Sequence, residues 1–155
     1  MNKNSIWLAF LAAVAWLVTS CNIGNQYSHY ETVSVRGWDN TDTVRFELGP
    51  VMESGTFQDE VDLRTTSAYP YTQLAIIVRQ QVLPDGKIRI DSMNLQLSDD
   101  EGNSTGSGTI HHHHSQKLAP IYMKEGQRLA VSIYHNMKKE CLPGISDLGV
   151  TITKE

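Results

Sequence analysis

Cysteine is nearly missing from this 155-residue chain, which has two. One of them, Cys21, closes an apolar N-terminal segment, so Cys141 alone remains in the body of the chain and an intramolecular disulfide framework is ruled out. Long apolar runs are missing too. The longest, Ile6 to Val18, has 13 residues, against the roughly 20 that a membrane-spanning helix needs. Basic residues are in deficit: Lys3 is the only charge in the first 20 residues, so the following 135 carry 12 basic against 17 acidic residues, a net charge of −5. That surface offers nothing to a phosphate backbone, and nucleic acid is excluded as an expected partner. No segment beyond residue 30 sustains a 3.6-residue apolar period for three turns, which excludes the α-helix as the organising element.

What is present begins with an address. Lys3 supplies a positive charge, Ile6 to Val18 an apolar core, and Val18-Thr19-Ser20-Cys21 closes the segment. The four residues resemble the bacterial lipobox, in which a cysteine after two small residues is acylated and becomes the new N-terminus. Residues 1–20 are therefore expected to be a cleaved lipoprotein signal peptide and residues 21–29 a lipidated cysteine with a short tether. Two or three acyl chains, palmitate among them, hold such a protein firmly at a membrane, because each buried methylene contributes about 0.8 kcal/mol. Residues 22–28 lack an acidic cluster, which favours a periplasm-facing location over the outer surface.

From residue 30 to 155 the apolar pattern has period 2, as in strands buried on one face. Val44, Phe46 and Leu48 make one row, and Phe57, Val61 and Leu63 a second. Leu129, Val131 and Ile133 make a third, and Leu148, Val150 and Ile152 a fourth. The continuous run Leu74 to Val78 predicts a central strand. Ile88 and Ile90 are out of phase with Met93, Leu95 and Leu97, which predicts a bulge near Asp91-Ser92. Turn residues lie between these runs: Gly49-Pro50, Pro84-Asp85-Gly86, the Asp99 to Asn103 segment, Gly126 and Pro143-Gly144. The expected fold is all-β: one antiparallel β-sandwich of about seven to nine strands, immunoglobulin-like or jelly-roll-like, with a small barrel as the alternative.

Few residues point to chemistry. Gly102-Asn103-Ser104-Thr105-Gly106 fits the G-x-S-x-G pattern of hydrolases, yet an acidic turn precedes it and no helix can follow, so Ser104 is expected in a glycine-rich loop. His111 and His113 would share a strand face about 7 Å apart, near enough for two imidazoles to reach one metal ion; His29 and His135 are the only histidines outside the 111–114 run. Asp99-Asp100-Glu101 lacks the alternating spacing of a calcium loop. Cys141 has no neighbouring base and is expected to be an inert thiol. Asp42-Thr43-Val44 and Asp91-Ser92-Met93 match a short O-glycosylation pattern of Bacteroidetes envelope proteins, making Thr43 and Ser92 candidate positions. Tyr27, Tyr30, Trp38, Tyr69 and Tyr71 are candidates for a sugar-stacking face, with core packing as the competing role.

The ordered set of segments resembles a known family. Trp38, Val44-Arg45-Phe46, Leu63-Arg64, Tyr69-Pro70-Tyr71, Asp85-Gly86, Asp100-Glu101-Gly102 with Gly106 and Gly108, and Gly144-Ile-Ser-Asp147-Leu-Gly149 follow one another as in the gliding-motility lipoprotein H (GldH) family of the Bacteroidetes. The resemblance covers essentially the whole chain after Cys21. Gln73 and Ser104 depart from residues common in relatives, asparagine and tryptophan, and the four-histidine run is peculiar to this chain. The resemblance implies an envelope lipoprotein that in gliding relatives supports the motility apparatus and the type IX secretion machinery, and it hands over no catalytic residue and no cofactor. The first expectation is accordingly a non-enzymatic accessory lipoprotein with envelope protein partners, held at the membrane through Cys21. A glycan-binding envelope lipoprotein is the alternative, and a hydrolase or metal enzyme using Ser104 or the histidines comes last.

Overall fold

The computed structural model describes residues 26–84 and 86–155, so Cys21 and the expected signal peptide lie outside the described residues. Eleven strands are found among them and no helix: β1 (Gln26–Thr32), β2 (Trp38–Asp39), β3 (Val44–Leu48), β4 (Gly55–Thr66), β5 (Gln73–Leu83), β6 (Ile88–Gln96), β7 (His111–Lys117), β8 (Ile121–Met123), β9 (Arg128–His135), β10 (Cys141–Leu142) and β11 (Ile145–Lys154). All pair antiparallel. One sheet runs β1-β11-β4-β7, with β8 beside the start of β4, and the other runs β3-β9-β5-β6. That distribution of strands between two facing sheets is a jelly roll, and the sheets do not close into a barrel. The short β2 and β10 pair with each other at one end.

The four apolar rows face inward as their alternation requires. Phe46, Leu48, Phe57, Val61, Leu63, Leu129, Val131, Ile133, Leu148, Val150 and Ile152 are all buried, and Trp38 fills the space beneath the β2–β10 ribbon. Its indole donates to the Asp42 carbonyl at 2.9 Å, which satisfies its one polar atom in the core. β5 is interior to its sheet, between β9 and β6, and Leu74, Ile76 and Val78 point into the core.

Two expectations are revised. The bulge near Asp91-Ser92 does not exist, since β5 and β6 pair in unbroken register from Gln73 opposite Gln96 to Gln81 opposite Ile88. The inward row of β6 is Arg89, Asp91, Met93 and Leu95, while Ile88 and Ile90 face solvent, 48% and 63% exposed. Charged residues occupy inward positions because they have partners there. Asp59, wholly buried on β4, accepts from the Gln80 amide of the facing sheet and from Arg89 at 3.1 Å, and Arg89 also bonds Asp91 at 2.9 Å and the Gln80 carbonyl oxygen. The second revision concerns residues 26–29, which are paired strand and not tether. Tyr27 turns inward against Phe57, and His29 meets the edge of the Phe46 ring, contacts that the polar composition of the segment conceals.

Burial pushes the Asp59 carboxyl above its ordinary 3.8, opposed by the Gln80 hydrogen bond and by the Arg89 charge. A carboxyl raised in the fold supports folding fully when protonated, below about pH 4, and loses that support as pH rises through its native value. Replacing Arg89 by alanine strands the carboxylate, so R89A should cost about 3 kcal/mol at pH 7. The loss should shrink towards pH 4, where the lone carboxyl takes up a proton. Urea unfolding at the two pH values checks this; equal losses at both would contradict it.

Candidate functional site

Two polar constellations stand out, on different parts of the sandwich. The first lies on the outer face of the β1-β11-β4-β7 sheet, around Asp62. This carboxylate points away from the core, three positions along β4 from Asp59, yet the residue is only 5% exposed. Tyr30 and Thr151 donate to Oδ2, each at 3.0 Å, and Ser115 donates to Oδ1 at 2.8 Å, where His113 Nε2 also lies at 3.3 Å. Ser28 extends the network to Thr151. The Tyr30 ring packs over β11 at Gly149, with the Arg64 guanidinium 5.6 Å from its centroid. Only glycine permits this, because a Cβ at Gly149 would fall 2.3 Å from the ring. Burial, then the Asp62 hydrogen bond, raises the Tyr30 hydroxyl above its ordinary pKa.

The second is a cleft of about 310 Å³ at the end of the sandwich where β4 finishes and β5 and β7 begin. The β4–β5 loop contributes Tyr69, Pro70, Tyr71 and Thr72, the β6–β7 loop contributes Ser98, Gly102 and Ser104, and β7 contributes His112. The first loop is held down at Gly144, where φ is +80° and a Cβ would fall 2.2 Å from the Tyr69 backbone nitrogen, which excludes a side chain. Tyr69 donates to the Gln73 carbonyl at 2.8 Å, and its ring meets Tyr71 edge-on at 5.5 Å. The second loop is organised by Asp99, which accepts from the Glu101 and Asn103 backbone nitrogens at 3.0 and 2.8 Å and from the Asn103 side chain. These bonds hold the Asp99 carboxyl below its usual range, and they give the acidic segment the work of a turn.

The residues singled out from sequence separate. Along β7 the pleat sorts the histidine run: His111 and His113 face outward, His113 onto Asp62, while His112 and His114 face inward. His114 is buried beside Thr65, 3.3 Å away, and burial and its two histidine neighbours lower its pKa. Among the described residues no group of three His, Cys, Asp or Glu side chains is arranged to hold a metal ion. His29 bonds Glu31 at the surface, and His135 sits in the core under Trp38. Ser104 accepts from the Gly106 nitrogen in a loop with no strand-turn-helix elbow around it. Thr43 lies half-buried in the turn before β3, and Ser92 is exposed in mid-strand on β6. Cys141 is half-buried, 3.4 Å from the Arg36 carbonyl. The five aromatics expected to share a face do not: Trp38 is in the core, Tyr27 packs beneath β1, Tyr30 covers Gly149, and only Tyr69 and Tyr71 meet at the cleft.

Gly144 and Gly149 thus each permit a backbone or ring approach that a side chain would block, and both belong to the closing Gly-x-x-Asp-x-Gly segment. The family model for GldH lipoproteins matches residues 25–152. The chain belongs to that family. It is 27% identical to the gliding motility lipoprotein GldH of Flavobacterium johnsoniae over 99% of this chain and 98% of that protein. It is 25% identical to a GldH homolog of Christiangramia forsetii over 89% of both chains. Among solved structures, a family 35 carbohydrate binding module from Clostridium thermocellum aligns over 81% of this chain and 90% of its own, at 11% identity and a TM-score of 0.41, too distant to carry an argument. As a GldH-family member the chain is a lipoprotein of the cell envelope.

The Asp62 cluster makes Gly149 and Tyr30 structural partners. G149A should destabilise the fold by about 2 kcal/mol, because the methyl group expels the ring. Y30F, which removes one donor from Asp62 and keeps the ring, should cost about 1 kcal/mol. Urea titration of both variants measures these losses, and a neutral G149A would overturn the assignment.

Proposed function

We propose that this chain is a non-enzymatic accessory lipoprotein, held at the membrane by acyl chains on Cys21 and facing the periplasm, that docks a membrane-associated protein partner of the motility and type IX secretion machinery. The observation that carries the reading is the outward row of β6. That edge strand presents Ile88 and Ile90 to solvent; Gln81 and Arg79 of β5 stand opposite them, and Ile77 and Tyr134 lie farther along the same face. Edge strands usually carry charge on such positions, and two adjacent exposed isoleucines on an edge suit a binding surface. Here the charges of the strand, Arg89 and Asp91, are turned inward to Asp59.

Position supports the same reading. Gln26, the first described residue, pairs with Thr153, which lies beside Gln58 near the start of β4. Ile88 sits at the same end of the sandwich, because β5 runs from the cleft towards the β5–β6 turn. Four residues lie between Cys21 and Gln26, and at about 3.5 Å for each of the five steps this end stays within roughly 20 Å of the anchor. The apolar patch is thus carried close to the bilayer, where a membrane protein would meet it. The name of the Flavobacterium relative supports motility as the setting.

Affinity purification of the lipidated protein from its native envelope is expected to recover a specific membrane-associated complex. An I88K/I90K variant should recover at least tenfold less of it with an unchanged melting temperature. Recovery of bulk lipoproteins alone, or an unaltered complex with the variant, would count against the proposal.

A further inference from the structure

The loop-end cleft is not used by the docking surface, and it lies at the opposite end of the sandwich. Its chemistry is specific. Hydroxyl groups of Thr72, Ser98 and Ser104 line it together with Tyr69, Tyr71 and His112, and no Asp, Glu, Lys or Arg side chain does. His112 borders the cleft with its Nδ1 atom buried and without a protein partner. Tyr71, 36% exposed, borders the cleft and is braced edge-on by Tyr69.

Both walls are preorganised. Thr105 ties the β6–β7 loop to the end of β6 through bonds of 3.0 Å to the Leu97 carbonyl and 2.8 Å to the Gln96 carbonyl. The Thr66 nitrogen donates to Gly144 at 2.8 Å beneath the other loop. A rigid cleft loses little entropy on binding. At about 310 Å³ it stands at the small end of the roughly 300–1,000 Å³ range of ligand sites.

Walls without Asp, Glu, Lys or Arg side chains disfavour phosphates, carboxylates and amines. The pairing of hydroxyl and imidazole groups with an aromatic ring suits a ligand that has hydroxyls around its rim and an apolar C–H face. We infer that the cleft formed by Tyr71, Thr72, Ser98, Ser104 and His112 binds an uncharged sugar unit of a glycan chain. The site stands independently of lipid attachment. Its orientation rests on attachment at Cys21, which directs the cleft away from the bilayer and towards polymer lying beyond it. The same sugar chemistry occurs in cell-wall glycan strands and in surface polysaccharide, and the test separates them.

The lipidated protein, purified from its own envelope in detergent, is titrated against peptidoglycan sacculi and, separately, against O-polysaccharide freed of its lipid. Saturable binding to either is expected, and the arm that binds names the source. Y71A and T72V should each weaken it at least tenfold at unchanged melting temperature, whereas I88K/I90K should leave it intact. Absence of saturable binding in both arms, or binding that survives Y71A and T72V, overturns the inference. Failure of the unaltered protein to recover a partner complex, with glycan binding intact, would count against the docking surface alone.

Discussion

Two carboxylates on one strand organise this molecule. Asp59 and Asp62 are three residues apart on β4, so the pleat sends them to opposite faces. Neither is solvated, and each is kept by partners from other strands. Asp59 joins the two sheets across the core through Gln80 and Arg89. Asp62 gathers β1, β11 and β7 through Tyr30, Thr151, Ser115 and His113. A lean apolar core supplies cohesion without much register information, and buried charges that accept only one set of partners can add it. In this fold they set which residues of β6 face inward and which lie outside.

That constraint decides where the surface becomes apolar. Because Arg89 and Asp91 are drawn to Asp59, Ile88 and Ile90 are left outside, and the proposed docking surface follows from the buried ion pair. It also fixes the ends of the molecule. β1 starts at one end and the β4–β5 and β6–β7 loops meet at the other, so the patch and the cleft are separated along the length of the strands. A protein held at its first strand would thus meet a membrane partner with one end and polymer beyond the membrane with the other.

Much of the fold was legible from alternation alone. The rows Phe46-Leu48, Leu129-Val131-Ile133 and Leu148-Val150-Ile152 point inward as read, and the central place of Leu74 to Val78 follows from its unbroken apolar run. Alternation assigns charges to solvent, and it fails where charges pair. Asp59 sits inward between Phe57 and Val61, and Arg89 sits inward between two isoleucines, a sequence that imitates a phase shift. The polar segment Gln26 to His29 hid a strand for a similar reason: its inward contacts are Tyr27 and a histidine edge. The cleft was half legible. One of its loops, Asp99 to Asn103, was visible as a turn segment and the other only as the aromatic run Tyr69-Pro70-Tyr71, and their meeting depends on Gly144 and on a long-range register that no local pattern contains. The lipobox, by contrast, is a local signal, and it remains the basis for placing the anchor at Cys21.

The central claim is that the outer face of β6 docks a membrane-associated partner. Site-specific photo-crosslinking in living cells tests it most directly, with the photoreactive residue placed at position 90 and, for comparison, at position 45 on the outer face of β3. The account predicts one discrete adduct with an envelope protein from position 90 and none from position 45. No adduct at 90, or the same diffuse products from both, would contradict it.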